Sequence, residues 1–76
     1  MRRIAVDSAS LVSIGYEPRR RELEIEFRDS RDVYRYFEVP VDEYDEFLAA
    51  QSKGTYLNRV FKTRGYLYMV VKRGGR

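Results

Sequence analysis

Leu23, Ile25 and Phe27 share one parity of the segment Glu22–Arg28, and Glu22, Glu24, Glu26 and Arg28 share the other. A period of two predicts a strand with one buried and one wet face. Leu11–Glu17 alternates too, with Val12, Ile14 and Tyr16 against Ser13 and Gly15, and Pro18-Arg19-Arg20-Arg21 then reads as a turn. Asp29-Ser30-Arg31-Asp32 is a polar turn into a further strand, Val33–Val39. Arg2–Val6 alternates over a shorter, terminal span and is placed as an added edge.

Register decides where Tyr34 and Tyr36 point. A loop centred between Ser30 and Arg31 sets Phe27 opposite Tyr34, Ile25 opposite Tyr36 and Glu26 opposite Arg35, a favourable cross-strand pair. Both tyrosines are then mainly core residues whose hydroxyls reach the rim, a reading favoured over a pair of exposed aromatics that stack on bases as on an RNA-binding sheet. Phe37 and Val39 fall on the wrong face in this register, which calls for a bulge near Phe37 or a covering helix.

After Pro40 the period changes. Val41, Tyr44, Phe47 and Leu48 fall at helical spacing, and Asp42, Glu43, Asp45 and Glu46 fill a solvated face near the positive end of the helix dipole. Those carboxylates match no dedicated cation loop, so no metal is assigned. Ser52 is an N-cap for a second helix, Lys53–Lys62, with Leu57, Val60 and Phe61 inward. Gly54 relieves crowding at the corner between the helices, and Gly65 closes the second one. Tyr66–Lys72 is rich in β-formers and predicts a final strand, with Arg73–Arg76 a disordered tail.

The expected fold is α+β: an antiparallel meander of three to four strands with two short helices packed on one face, one domain over residues 1–72. The expected core is Val12, Ile14, Leu23, Ile25, Phe27, Tyr36, Tyr44, Phe47, Leu48, Leu57, Val60 and Phe61.

Composition narrows the chemistry. A chain of 76 residues hides about 60% of its unfolded surface. Cysteine is absent, so no disulfide framework or thiolate metal site assists it. Histidine is absent too, which removes the usual general base along with the usual thiol nucleophile. No nucleotide-binding glycine pattern is present. The expectation is a non-enzymatic, cofactor-free protein of the cytoplasm with no membrane segment.

Charge is strongly segregated. Residues 22–51 hold ten carboxylates against three arginines, whereas residues 52–76 hold four arginines and three lysines with no carboxylate. An unbalanced third predicts either a cationic patch or neutralisation by the acidic third across the fold.

Tyr34-x-Tyr36, the Val39-Pro40 step and Ser52-x-Gly54-x-Tyr56-x-Asn58, in that order and separation, resemble the KTSC domain from about Val6 to Tyr68. That family occurs at the C-terminus of some lysyl-tRNA synthetases and as small stand-alone bacterial proteins. Its synthetase context implies RNA as a partner, and the resemblance names no catalytic residues. Two departures are Leu57, where an aromatic is expected, and the tail Met69–Arg76, beyond the likeness.

The same residues support two binding readings. In the favoured one, RNA or another single strand binds Lys53, Gly54, Tyr56, Asn58, Arg59, Lys62, Arg64, Tyr66 and Tyr68, with cations on phosphates and tyrosines on bases. In the other, the domain pairs with a protein or with a second copy of itself, through a strand edge or acidic helix against basic helix.

Overall fold

The predicted alternation builds an all-antiparallel sheet, and the order of its strands is the order of the sequence. The computed structural model describes residues 1–74. Its strands are β1 (Ile4–Ala5), β2 (Leu11–Glu17), β3 (Glu22–Phe27), β4 (Val33–Tyr36) and β5 (Tyr68–Lys72). Helices α1 (Val41–Ala49) and α2 (Lys53–Tyr56) lie between β4 and β5. The fold is α+β, with five strands where three to four were expected, because both terminal segments join the meander as its edges.

In β2, Leu11 pairs with Phe27 and Ser13 with Glu26, which leaves Val12 as a bulge. The extra residue puts Leu11 in the core position expected for Val12; Leu11 is fully buried and Val12 only half-buried. Beyond the bulge, Ile14 faces Ile25 and Tyr16 faces Leu23 as the alternation requires.

The β3–β4 register is shifted by two residues from expectation. Ile25 lies opposite Tyr34, Leu23 opposite Tyr36, and Glu24, rather than Glu26, opposite Arg35. The turn is centred earlier, with the Phe27 N–H donating to Asp32 O at 3.0 Å and Arg31 in a left-handed conformation (φ 64°). A shift of two keeps each residue on its face. Glu24 is buried between Arg35 (2.6 Å) and Arg3 (3.0 Å) on the face away from the helices.

β4 stops at Tyr36. Glu38 takes a left-handed backbone (φ 57°), and the kink turns Val39 into the core, where it is fully buried. The break therefore falls one residue after Phe37. Tyr44 stacks on Tyr16 at 4.4 Å and the Tyr16 hydroxyl donates to Val39 O at 2.5 Å, which seats α1 over β2.

α1 is rotated from its expected facing. Glu43 and Phe47 are buried, whereas Val41 and Leu48 are exposed. The second helix starts at its Ser52 cap, whose Oγ accepts the Thr55 N–H at 3.2 Å. It then widens into a π-helical stretch, Leu57–Phe61, and tightens into a 3-10 turn, Lys62–Arg64, before Gly65 closes it with φ 74°. Leu57 and Phe61 complete the core, while Val60, Phe27 and Tyr44 are half-buried.

The chain past β5 stays in contact with the sheet: Gly74 N–H donates to Asp32 Oδ1 at 2.7 Å and the Arg73 guanidinium lies 3.4 Å from Asp32. The disordered tail expected from Arg73 is thus engaged in its first two residues; Gly75 and Arg76 lie outside the described residues.

Candidate functional site

Residues two apart on a strand share a face, so Tyr34 and Tyr36 both point toward the helices. β5 brings Tyr68 opposite Tyr36, and its ring stacks on Tyr34 with centroids 5.1 Å apart and planes 17° apart. Phe61 meets Tyr36 edge-on at 4.8 Å, and Phe27 meets Tyr34 edge-on at 5.1 Å. Between them lies a cavity of 340 Å³ lined by Tyr34, Tyr36, Phe61, Lys62, Tyr66 and Tyr68. A 140 Å³ cavity by Phe27 and Ser30 and a 200 Å³ one by Gly54 and Asn58 adjoin it, and Lys62 lines all three. The Lys62 ammonium also stands 5.7 Å from the Phe27 ring centroid, within cation–π range.

The tyrosines divide into two sets by what their hydroxyls do. Among the described residues, those of Tyr34, Tyr36, Tyr44 and Tyr68 have no protein hydrogen-bond partner, in contrast to Tyr16, Tyr56 and Tyr66; Tyr44 lies apart from the cavity, against Tyr16. No buried side-chain polar atom among the described residues is left unpaired, so the Tyr36 hydroxyl opens on solvent although the residue is buried. Burial pushes the Tyr36 phenol up to about 12, helped by the neighbouring Tyr34 and Tyr68.

Of the other set, Tyr16 is held by the Val39 carbonyl, and Tyr56 and Tyr66 are held by Glu43. Its buried carboxylate accepts the Tyr66 hydroxyl at 2.8 Å and the Arg64 guanidinium at 2.7 Å. The Tyr56 hydroxyl donates to it as well and lies 3.1 Å from Glu46. Burial and then the Glu43 bond raise the Tyr66 phenol to about 12, and the same causes raise that of Tyr56. Glu43 is thus no part of a solvated face, because three donors from the basic third draw it inward.

The predicted site therefore splits. Tyr56, Arg64 and Tyr66 are joined at Glu43. Lys53 turns its ammonium onto the carbonyls of Leu48 and Ala50 at the end of α1. Gly54 is packed so tightly on the β1–β2 loop that a Cβ there would lie 2.6 Å from Ser10 Oγ. Asn58, Lys62 and Tyr68 line the groove, and Arg59 is exposed with no ion pair among the described residues. The cationic surface is accordingly interrupted at Arg64, where a continuous one was expected. Sequence reasoning favoured the core for Tyr34 and Tyr36 over an exposed aromatic pair and left both out of the candidate site; Tyr36 is buried and Tyr34 half-buried, and both also line the cavity wall. Among the described residues no set of three His, Cys, Asp or Glu side chains is gathered as a metal requires.

Comparison with known proteins agrees with this architecture. The KTSC domain profile matches residues 7–66, most of the chain. The chain belongs to the KTSC domain family. An uncharacterised protein of Stutzerimonas stutzeri is 44% identical over 68 residues, covering 90% of this chain and 94% of the relative. A protein of Tsukamurella paurometabola is 36% identical over 59 residues, covering 78% and 87%. The crystal structure of a KTSC domain protein from Yersinia pestis superposes with a TM-score of 0.85 at 37% identity, over 92% of this chain and 96% of that one. Leu57, where an aromatic was expected, is buried in this KTSC domain and meets the groove only in the lining of the 200 Å³ cavity. No helix among the described residues is long and apolar enough to cross a membrane.

Proposed function

We propose that this KTSC domain is a non-enzymatic module of the cytoplasm that binds single-stranded nucleic acid, RNA foremost, in the groove between β4, β5 and the second helix. The observation that carries the reading is the convergence of Tyr34, Tyr36 and Tyr68, with unpartnered hydroxyls, on one cavity beside Lys62. Stacked bases in a duplex are closed to such a wall, whereas an unpaired base has both faces to offer it. The Tyr68 ring, 56% exposed, is the stacking platform, and Lys62 and Arg59 meet phosphates at the rim.

The test is a titration with short single-stranded RNA at low and high salt, following the amide and tyrosine ring resonances. Shifts centred on Tyr34, Tyr36, Lys62 and Tyr68 that weaken with salt are the expected result. Shifts spread evenly over every basic residue, or none, overturn the reading.

A second reading rests on a different feature. β5 is an edge strand, and Met69 within it (49% exposed) and Leu67 just before it (76% exposed) give that edge an apolar start. Such an edge suits strand pairing with a protein or a second copy of the domain. A solution mass of twice the chain, with no response to RNA, would favour this reading over the first.

A further inference from the structure

Beyond Lys62 the groove enters the 200 Å³ chamber, whose character differs from that of the tyrosine cavity. Phe27 and Leu57 give it an apolar lining, and Asp29 and Asn58 bring a carboxylate and an amide to its wall. Asp29 belongs to the turn between β3 and β4, and Asn58 to the π-helical stretch. Gly54 seats the second helix on Ser10, and the Ser10 carbonyl accepts the Arg28 N–H at 2.9 Å, so the two distant segments meet through the β1–β2 loop. Neither side chain is in an ion pair or side-chain hydrogen bond among the described residues, although both are exposed. Of the three cavities that Lys62 lines, this one alone has a carboxylate among its lining residues.

A carboxylate repels a phosphate, so the chamber is a poor continuation of a phosphate path. What it offers is an acceptor beside a group that both donates and accepts. Cytosine matches that pair: its exocyclic amine donates to Asp29, and its ring nitrogen or O2 accepts from the Asn58 amide. Adenine and guanine also present amines. Uracil instead turns a carbonyl oxygen to the place where cytosine has its amine, and a carboxylate repels it.

We infer that this chamber is a base-reading subsite that selects a nucleobase bearing an exocyclic amine over uracil, with Asp29 and Asn58 determining the choice. The inference rests on the nucleic-acid role proposed above and adds a register to it. One base lies against Tyr68 and Tyr34, the linking phosphodiester passes Lys62, and the next base enters the chamber of Asp29.

Oligocytidylate and oligouridylate of equal length isolate the effect, because the two bases have the same ring size. Tyrosine fluorescence titrations at one fixed salt concentration should show cytidylate binding roughly tenfold tighter to the wild-type domain. Asp29→Asn, a substitution suited to its exposed turn, should bring the two within about twofold, chiefly by tightening uridylate. Asn58→Ala should weaken cytidylate more than uridylate. Equal affinity for the two ligands, or a preference unchanged in Asp29→Asn, overturns the inference; ring shifts at Tyr34 and Tyr68 would then still support the nucleic-acid role. If neither oligonucleotide moves those rings, the role fails and the inference with it.

Discussion

Glu43 accepts the Tyr66 hydroxyl at 2.8 Å, and through that bond α1 holds the segment that leads into β5. The same carboxylate takes Arg64 and Tyr56, so one buried acid fixes both the second helix and the approach to Tyr68. Glu43→Ala leaves the Tyr66 phenol and a half-exposed guanidinium without their acceptor, and leaves Tyr56 only Glu46. The expected loss is about 2–3 kcal/mol in urea unfolding, with Glu43→Gln losing less because its amide oxygen still accepts. Equal stability of Glu43→Ala and wild type would show that water replaces the carboxylate without penalty.

How much of this was legible in the chain can be traced residue by residue. The strands β2, β3 and β4, the Ser52 cap and the Gly65 stop were readable, because each rests on local chemistry: alternation, a side-chain acceptor for a helix N–H, a left-handed backbone. Val12 was misread because a bulge changes the parity of its neighbours and no residue there demands one; the break called for near Phe37 is the positive φ at Glu38, which turns Val39 inward. Glu43 was misread for another reason. Amphipathic spacing ranks a glutamate as solvent-facing unless its donors are known, and Arg64 and Tyr66 are more than twenty residues away. The candidate site suffered in the same way: composition singled out the basic-aromatic third, but which of its tyrosines remain available depends on long-range pairing with Glu43 and on the β4–β5 register.

Gly54 provides a test of the corner itself. An added methyl would stand 2.6 Å from Ser10 Oγ and 3.1 Å from its Cβ, so Gly54→Ala must push the β1–β2 loop away from the second helix. A destabilisation of about 1–3 kcal/mol is expected, with part of it recovered in the double variant Gly54→Ala, Ser10→Gly. Strict additivity of the two substitutions in a thermal unfolding cycle would count against the contact.

Three buried or bonded phenols make the fold sensitive to alkali. Tyr36 and Tyr66 are raised to about 12, and Tyr56 is raised as well, against an unfolded value of about 10. Between those values the unfolded chain has released protons that the native one retains, so unfolding is favoured as pH rises. The contribution is fully present below about pH 10 and is lost as pH climbs through about 12. Urea midpoints should fall over that window, and Tyr66→Phe should make the decline shallower. A flat profile, or ring resonances of Tyr36, Tyr56 and Tyr66 that titrate at the unfolded value before the fold is lost, would contradict the assignment.

The division of tyrosines into held and available sets predicts opposite phenotypes for neighbouring positions. Tyr66→Phe removes the hydroxyl bonded to Glu43 but keeps the ring, and should lower stability by about 1 kcal/mol while leaving affinity for single-stranded RNA within about twofold. Tyr68→Ala removes an exposed ring that stacks on Tyr34, and should weaken RNA binding by about 1–3 kcal/mol with a smaller effect on unfolding. Lys62→Ala should weaken binding and flatten its salt dependence by roughly one phosphate contact, because an ammonium that meets one phosphate releases about one counterion. Measured together by salt-dependent titration and urea unfolding, the three variants separate the groove from the scaffold that supports it. If Tyr66→Phe impairs RNA binding as much as Tyr68→Ala, the phenol held by Glu43 belongs to the binding surface and the division drawn between the two sets is wrong.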